Sequence, residues 1–251
     1  MRALAVVLLL LAATGTAGAA EIDAFISTAI KAVTDEVLPP FARAHGHSIR
    51  ASYGPSGALI PRLLRGEPVD VLLTDRAAVD ALIAQGNIAS GRTDLARVGI
   101  GIAVRKGAPR PDVSSPEALR RALLAARSVA HADPAGGSIT AAHIRGVFER
   151  LGIAAQVAPK VRLAAGGPNG RVSVLVASGE AEIGLQQASE LLSNPEVEVI
   201  AMLPAELQQI TVYSAAVAAR AREGAAAQAL IGALTAPSAA PIWRAKGLDP
   251  P

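Results

Sequence analysis

Residues 48–60, with the sequence SIRASYGPSGALI, contain the pattern on which the rest of this 251-residue chain is built. The stretch is typical of a short strand that ends in a turn of small residues and leads into a helix, with Ser56 placed to cap that helix. Serine is favoured at a cap because its hydroxyl accepts a hydrogen bond from a first-turn amide that has no helical partner. The remaining amides and the helix dipole attract anions. The turn therefore predicts an anion site, with a plain helix cap as the alternative for Ser56.

The same order of strand, small polar turn and helix recurs three times, at residues 22–38, 128–151 and 161–178. Alternation of strands and helices predicts parallel sheets with right-handed crossovers. Together the four turns predict a cleft that is lined by the N-termini of helices.

Two long apolar strands, at 98–105 and 209–219, bracket the second set of alternating units. This arrangement predicts an α/β protein of two lobes, each with a mainly parallel sheet flanked by helices. We expect lobe 1 to comprise 21–100 and 212–251, and lobe 2 to comprise 101–211. A double crossover would join the lobes.

The first 20 residues have the features of a signal peptide. Arg2 precedes an apolar run from Ala3 to Ala13, and small residues follow, so that cleavage before Ala20 or Glu21 is expected. The apolar run is too short to be a stable membrane anchor. An uncleaved anchor is the alternative, but we predict a free periplasmic protein, since the chain has no cysteine to carry a lipid.

Composition removes several classes of function. The absence of cysteine excludes disulfides, thiolate metal sites and cysteine nucleophiles. A net charge of +3 is too small to indicate nucleic-acid binding, and aromatic residues are too scarce for stacking platforms. His45 and His47 have a spacing that suits a metal, but no third ligand is evident. We therefore expect no metal, no cofactor and a monomeric protein.

Six stretches resemble the molybdate-binding-like branch of the bacterial solute-binding proteins, and they are spread over nearly all of the chain after residue 20. They are YGPSGAL at 53–59, PVDVLL at 68–73, RTDLARVGIG at 92–101, DPAGGS at 133–138, GEAEIGL at 179–185 and APIWRAKGL at 240–248. The resemblance implies the type II periplasmic binding protein fold, with a double-crossover hinge. It also implies that the lobes close on a small anion and deliver it to the permease of an ABC transporter.

The resemblance further implies which residues contact the anion. The first loop of the family supplies a hydroxyl and the second a serine, while the third and fourth supply backbone amides. In this sequence the matching positions are Ser27 or Thr28, Ser56, Gly137 or Ser138, and Asn169 or Gly170.

One position departs from the pattern of the molybdate binders. They have a tyrosine at the end of a strand where this chain has Gln187. A glutamine amide offers a donor and an acceptor, whereas a compact oxyanion requires donors. We therefore expect Gln187 to contact an organic carboxylate better than molybdate.

Some relatives in this branch resemble a periplasmic aconitate isomerase, which implies an alternative function of a different class. Moving a double bond requires groups that remove one proton and deliver another. Acid/base candidates near the predicted cleft are Tyr53, His131, Asp133 and Glu190. No motif marks any of them, and a buried structural histidine is the alternative for His131.

Overall fold

The computed structural model describes residues 18–89, 91–165 and 171–251. The strands in chain order are β1 (Glu21–Ser27), β2 (Ser48–Gly54), β3 (Val71–Asp75), β4 (Thr93–Val98), β5 (Ile100–Arg105), β6 (Val129–Ala132), β7 (Val161–Ala164), β8 (Ile183–Gln187), β9 (Val197–Met202) and β10 (Thr211–Val217). The helices are α1 (Lys31–His45), α2 (Ser56–Leu64), α3 (Arg76–Ala84), α4 (Pro116–Ala125), α5 (Ile139–Arg150), α6 (Ala154–Val157), α7 (Val172–Ser178), α8 (Ala188–Leu192), α9 (Gly224–Thr235) and α10 (Ala240–Ala245). Most of the predicted signal peptide, residues 1–17, lies outside the described residues.

Each lobe contains one five-stranded sheet, and the two sheets share a topology. The strand order is β2-β1-β3-β10-β4 in lobe 1 and β7-β6-β8-β5-β9 in lobe 2. The first three strands of each sheet are parallel, whereas β10 and β5 run antiparallel to both of their neighbours. The predicted fold class, an α/β protein of two lobes, is confirmed. Each antiparallel strand is the one that follows a crossing between the lobes.

The first crossing corrects the predicted strand at 98–105. The chain forms two strands there, β4 and β5, which belong to different sheets and meet at Gly99. The strand β4 was not predicted. The second crossing runs through residues 203–210, and the side-chain amide of Gln208 binds the backbone of Ile100 there. The Ile100 N–H donates to Oε1 at 2.8 Å, and Nε2 donates to the Ile100 carbonyl at 3.1 Å. The two crossings are thus hydrogen-bonded to each other.

Helix α1 extends beyond residue 38, where the predicted unit 22–38 ends, and continues through Pro39 and Pro40. A proline inside a helix leaves a carbonyl one turn earlier without its donor. Both prolines lie on the exposed side of α1, where water can satisfy those carbonyls. The opposite side is buried in the core through Val33, Val37 and Phe41. Burial of this apolar face outweighs the lost backbone bonds.

Helices cover both faces of each sheet, so each lobe has two apolar clusters. The largest buried side chain is Trp243 of α10, which is 1% exposed and donates its indole N–H to the Leu234 carbonyl at 2.9 Å. This contact fixes the C-terminal segment to lobe 1. None of the helices in the described part of the chain is both long enough and apolar enough to cross a bilayer.

Candidate functional site

A cavity of about 640 Å³ lies between the lobes, where the carboxyl ends of parallel strands from both sheets come together. Gly54 ends β2 on one side, and Ala132 and Ala164 end β6 and β7 on the other. Ligands of open α/β sheets bind at this edge. The polar side chains that line the cavity come from both lobes: Thr28, Lys31, Tyr53, Asp133, Ser138, Arg171, Ser173, Gln186 and Glu190.

Each lobe contributes one cation to this cavity. Lys31 begins α1, and its ammonium donates to Asp35 at 2.7 Å and lies 4.5 Å from the ring centre of Tyr53. Arg171 precedes α7 and is exposed, and among the described residues it forms no ion pair. A guanidinium can hold a carboxylate through two parallel N–H bonds. An anion with two separated carboxylates could therefore contact a cation on each wall.

Two serines of lobe 2, Ser138 and Ser173, belong to the cavity wall. The Ser138 hydroxyl accepts a hydrogen bond from the Ala141 N–H at 3.3 Å and so caps α5. Ser173, in the first turn of α7, is 1% exposed, and its hydroxyl has no hydrogen-bond partner among the described residues. A buried hydroxyl without a partner is costly. Its side chain is enclosed by protein and does not offer the hydroxyl to the open space of the cavity.

Among the acid/base candidates, Glu190 is the one whose pKa is shifted most strongly by its surroundings. It lies in the first turn of α8 and lines the cavity. Desolvation raises the pKa of its carboxyl to about 7, although the Thr28 hydroxyl and the Arg171 charge oppose the shift. A carboxyl with such a pKa gains and loses its proton near neutral pH.

The other two candidates that line the cavity, Tyr53 and Asp133, have partners of their own. The Tyr53 hydroxyl lies 3.2 Å from that of Thr34, and burial raises the pKa of the phenol. The Asp133 carboxylate accepts the Ala135 N–H at 2.9 Å and caps a short 3-10 turn. At neutral pH Tyr53 is therefore a neutral donor.

His131 does not line this cavity. Its ring is 3% exposed, packs 5.8 Å from the ring of Phe148 and contacts the Ala132 carbonyl through Nδ1 at 2.7 Å. Burial lowers the pKa of the imidazole. The histidine lies against a separate surface groove of about 410 Å³.

Ser56 occupies a different place from the one that the sequence suggested. The predicted cap is wrong, because Pro55 precedes α2 at the cap position and Ser56 is the first residue of the helix. Its hydroxyl is buried, lies 2.7 Å from that of Thr74 and donates to the Asp75 carboxylate. A hydroxyl can donate one hydrogen bond, and the Asp75 carboxylate accepts the one from Ser56.

Ser27 and Gln187 also lie behind the cavity wall. The Ser27 hydroxyl accepts the Ala29 N–H at 3.4 Å. Gln187 is 1% exposed, and its amide donates to Thr211 at 3.2 Å and accepts from the Tyr213 phenol at 2.7 Å. Since Thr211 and Tyr213 belong to lobe 1, the Gln187 amide connects the lobes.

The lobes touch directly at two glycines. The Gly57 N–H of lobe 1 donates to the Gly137 carbonyl of lobe 2 at 3.3 Å. A β-carbon on either glycine would lie 2.7 Å from the α-carbon of the other. Gly137 has φ +77°, which also favours glycine. The structure therefore shows the cleft closed on this side, with two backbones in contact.

Several residues at the cavity were not singled out from the sequence. In the sequence, Lys31 is followed four residues later by Asp35, a spacing that is typical of an ordinary surface ion pair on a helix and does not indicate a binding site. Arg171 and Ser173 do have a signal, because they begin the helix after the fourth predicted loop. The two predicted contacts in that loop, Asn169 and Gly170, lie outside the described residues.

Comparisons with known proteins agree with this architecture. Residues 22–249 match the family model described as bacterial extracellular solute-binding protein. An aconitate isomerase from Pseudomonas sp is 36% identical over 221 residues, which are 86% of this chain and 82% of the relative. The molybdate-binding protein ModA of Azotobacter vinelandii is 24% identical over 92% of this chain and 90% of its own length.

A solved structure supports the fold. The periplasmic molybdate-binding protein of Azotobacter vinelandii superposes with a TM-score of 0.72 at 18% identity, covering 92% of this chain and 99% of that one. At 18% sequence identity, the structural similarity supports the two-lobed architecture but does not identify the ligand.

Proposed function

Because the chain belongs to the family of bacterial extracellular solute-binding proteins, we propose that it captures a small organic polycarboxylate in the cleft between its lobes. The observation that carries this proposal is the cavity of about 640 Å³ with Lys31 on one wall and Arg171 on the other. Sites for small organic ligands typically measure roughly 300–1,000 Å³. Two cations on opposite walls suit a molecule whose charges are several bonds apart.

A compact oxyanion fits this cavity less well. A tetrahedral oxyanion has five heavy atoms and would leave most of the space to water. Two of the side chains expected to bind it, Ser56 and Gln187, are committed to protein partners. Other donors that line the cavity, Lys31, Ser138 and Arg171, come from both lobes. This distribution favours an extended ligand.

Titration calorimetry with molybdate, tungstate, citrate, cis-aconitate and trans-aconitate tests the proposal. We expect binding of at least one carboxylate and weak or no binding of molybdate. A carboxylate at 100 times its Kd adds about 2.7 kcal/mol to the free energy of unfolding, which raises Tm by about 5–10 °C. Sub-micromolar binding of molybdate without a response to the carboxylates would refute the proposal.

Arg171→Ala provides a matched test of the cation on lobe 2. Loss of a charged hydrogen-bond donor should weaken carboxylate binding by about 1.5–3 kcal/mol. Arg120→Ala is the control, because Arg120 is exposed on α4 and contacts the Leu151 carbonyl instead of the cavity. Equal affinities of the two variants would exclude Arg171 from the site.

The proposed location is the periplasm, with an ABC permease as the partner that receives the ligand. The extracellular family and the signal-like pattern of residues 1–20 support this part of the proposal. N-terminal sequencing of protein released by osmotic shock should begin at Ala20 or Glu21. Recovery of intact Met1 in the membrane fraction would contradict it.

Isomerisation of aconitate is the second candidate function. It is favoured by the 36% identical relative and by Glu190, a cavity carboxyl whose pKa lies at about 7. In such a reaction one C–H bond breaks, another forms two carbons away, and the double bond moves between them. Proton NMR of cis-aconitate with the purified protein tests this function. Binding without conversion would leave the receptor function alone.

A further inference from the structure

Glu190 lies on an element of lobe 2 that packs against lobe 1. Ala188, two residues before it, belongs to the buried apolar cluster of lobe 1. Leu192, two residues after it, packs against Gly247 of lobe 1, where an added β-carbon would lie 2.5 Å from the leucine methyl. The half-buried carboxyl between them therefore lies where the lobes meet, and closure of the cleft reduces its contact with water.

Few groups around Glu190 can stabilise a negative charge on its carboxyl. Thr28 of lobe 1 offers a hydroxyl, and Arg171 of lobe 2 supplies the nearby cation. Tyr213 on β10 is a buried neutral phenol that donates its proton to Gln187. Strands β5 and β9 also pack against α8. The charged residue of β5 is Arg105, which is exposed, and that of β9 is Glu198, which forms an ion pair with Arg110. The neighbouring strand β8 contributes only neutral amides, those of Gln186 and Gln187, among its described side chains.

We infer that Glu190 carries a proton when the cleft closes on its ligand and donates that proton in a hydrogen bond to a ligand carboxylate. This inference rests on the proposed polycarboxylate ligand. An ionised Glu190 would repel the ligand in a site from which water is excluded, and it would compete with it for Arg171. A protonated Glu190 becomes a donor and leaves the Arg171 guanidinium to the ligand. At a pH above the pKa of Glu190 in the open form, each captured anion therefore brings one proton into the cleft.

The direction of the pH effect follows from the charges. In the closed cleft without ligand, desolvation already raises the pKa of Glu190 to about 7. The negative charge of a ligand raises this pKa further, whereas opening of the cleft rehydrates the carboxyl and lowers it. Binding is therefore tightest below the pKa of the open form, where Glu190 is already protonated. Above it, affinity falls by up to about tenfold for each pH unit, because a proton must be taken up with each ligand.

The experiment measures the Kd of trans-aconitate by calorimetry over roughly pH 7 to 8.5, because repulsion between like charges raises the last pKa of a tricarboxylate and the range must stay above it. Repeating the titrations in buffers of different ionisation enthalpy gives the number of protons taken up for each ligand. For the unaltered protein we expect an uptake that approaches one proton, together with a Kd that rises with pH. Glu190→Gln should bind without proton uptake and with a flat pH profile, since its amide donates at every pH.

Glu180→Gln is the control, because Glu180 is an exposed carboxylate of lobe 2 whose contacts are to Ser178. It should keep both the proton uptake and the pH slope. A Kd that is independent of pH in the unaltered protein, or an unchanged slope in Glu190→Gln, would overturn the inference while leaving the proposed ligand class intact. If trans-aconitate, cis-aconitate and citrate all fail to bind at any pH, the proposed function fails and this inference fails with it.

Discussion

The turns at 54–57 in lobe 1 and 133–138 in lobe 2 are alike in sequence and meet across the cleft, yet their serines behave differently. Ser138 caps α5 and lines the cavity. Ser56 is buried and bonded to the Asp75 carboxylate. Both turns contain small residues and a serine between a strand and a helix, so a local motif cannot distinguish them.

The difference arises from a neighbouring strand. Strand β3 ends in Asp75, whose carboxylate accepts the Ser56 hydroxyl and also the Ala78 N–H, so that it caps α3. Ser138 bonds instead to the first turn of its own helix. A serine after a strand thus predicts that a hydroxyl is available, and the end of the adjacent strand decides whether a ligand can use it.

Gly57→Ala should have the largest effect, because it acts where the two turns touch. The added β-carbon would lie 2.7 Å from the α-carbon of Gly137 and hold the cleft open. We expect affinity for the ligand to fall by about 100-fold, which is about 2.7 kcal/mol. Alanine also favours the helix, so the stability of the ligand-free protein should be equal or higher by up to about 1 kcal/mol. Calorimetry measures the loss of affinity, and thermal unfolding of the same variant measures the change in stability.

Gly232→Ala is the control for this variant, because Gly232 lies inside α9 with nothing within 4 Å of the added β-carbon. It should change stability in the same direction and leave affinity unaltered. A Gly57→Ala protein that binds as tightly as the unaltered one would show that the contact between the turns is unnecessary for closure.

Asp75→Ala should destabilise the folded protein more than it changes the cavity. The substitution removes the cap of α3, worth about 1 kcal/mol, and leaves the buried Ser56 hydroxyl without its acceptor, worth about another 1 kcal/mol. For a chain of this size, a total of about 2 kcal/mol lowers Tm by about 4–8 °C. An unchanged Tm would mean that the contact between Ser56 and Asp75 contributes nothing.

Ser138→Ala should affect stability and binding together. Loss of the α5 cap costs about 1 kcal/mol, and loss of a cavity hydroxyl should weaken binding by up to about 1.5 kcal/mol. Urea unfolding and calorimetry measure the two effects. If only the stability falls, Ser138 is a cap without a role in binding, and the two turns differ less than the structure suggests.

Ser56→Ala should have the smallest effect on binding, and it tests the comparison most directly. From the sequence alone, this serine would be a ligand donor whose loss costs about 1–3 kcal/mol of affinity. With its hydroxyl committed to Asp75, we expect a Kd within about twofold of the unaltered value and a loss of stability of about 1 kcal/mol. A large loss of affinity would restore Ser56 to the binding site.

The sequence predicted the fold better than the site for a physical reason. Alternation of apolar strands and capped helices is local information, and it was sufficient for two α/β lobes. Continuation of α1 through Pro39 and Pro40 depends on which face of the helix meets solvent, which the local sequence does not determine. The partners of Gln187 come from β10, more than 20 residues further along the chain. Long-range contacts of this kind decide which polar groups remain for a ligand.

The position of β10 inside the sheet of lobe 1 also bears on the order in which the protein folds. All five strands of lobe 2 come from one continuous segment, 100–202, and the connections between these strands stay within that lobe. In lobe 1, β4 is joined to the sheet only through β10, which pairs with β3 on its other side. Pairings between residues so far apart in the chain form slowly. Lobe 2 should therefore fold first, and the cleft exists only after residues 211–217 have entered between two strands synthesised long before them.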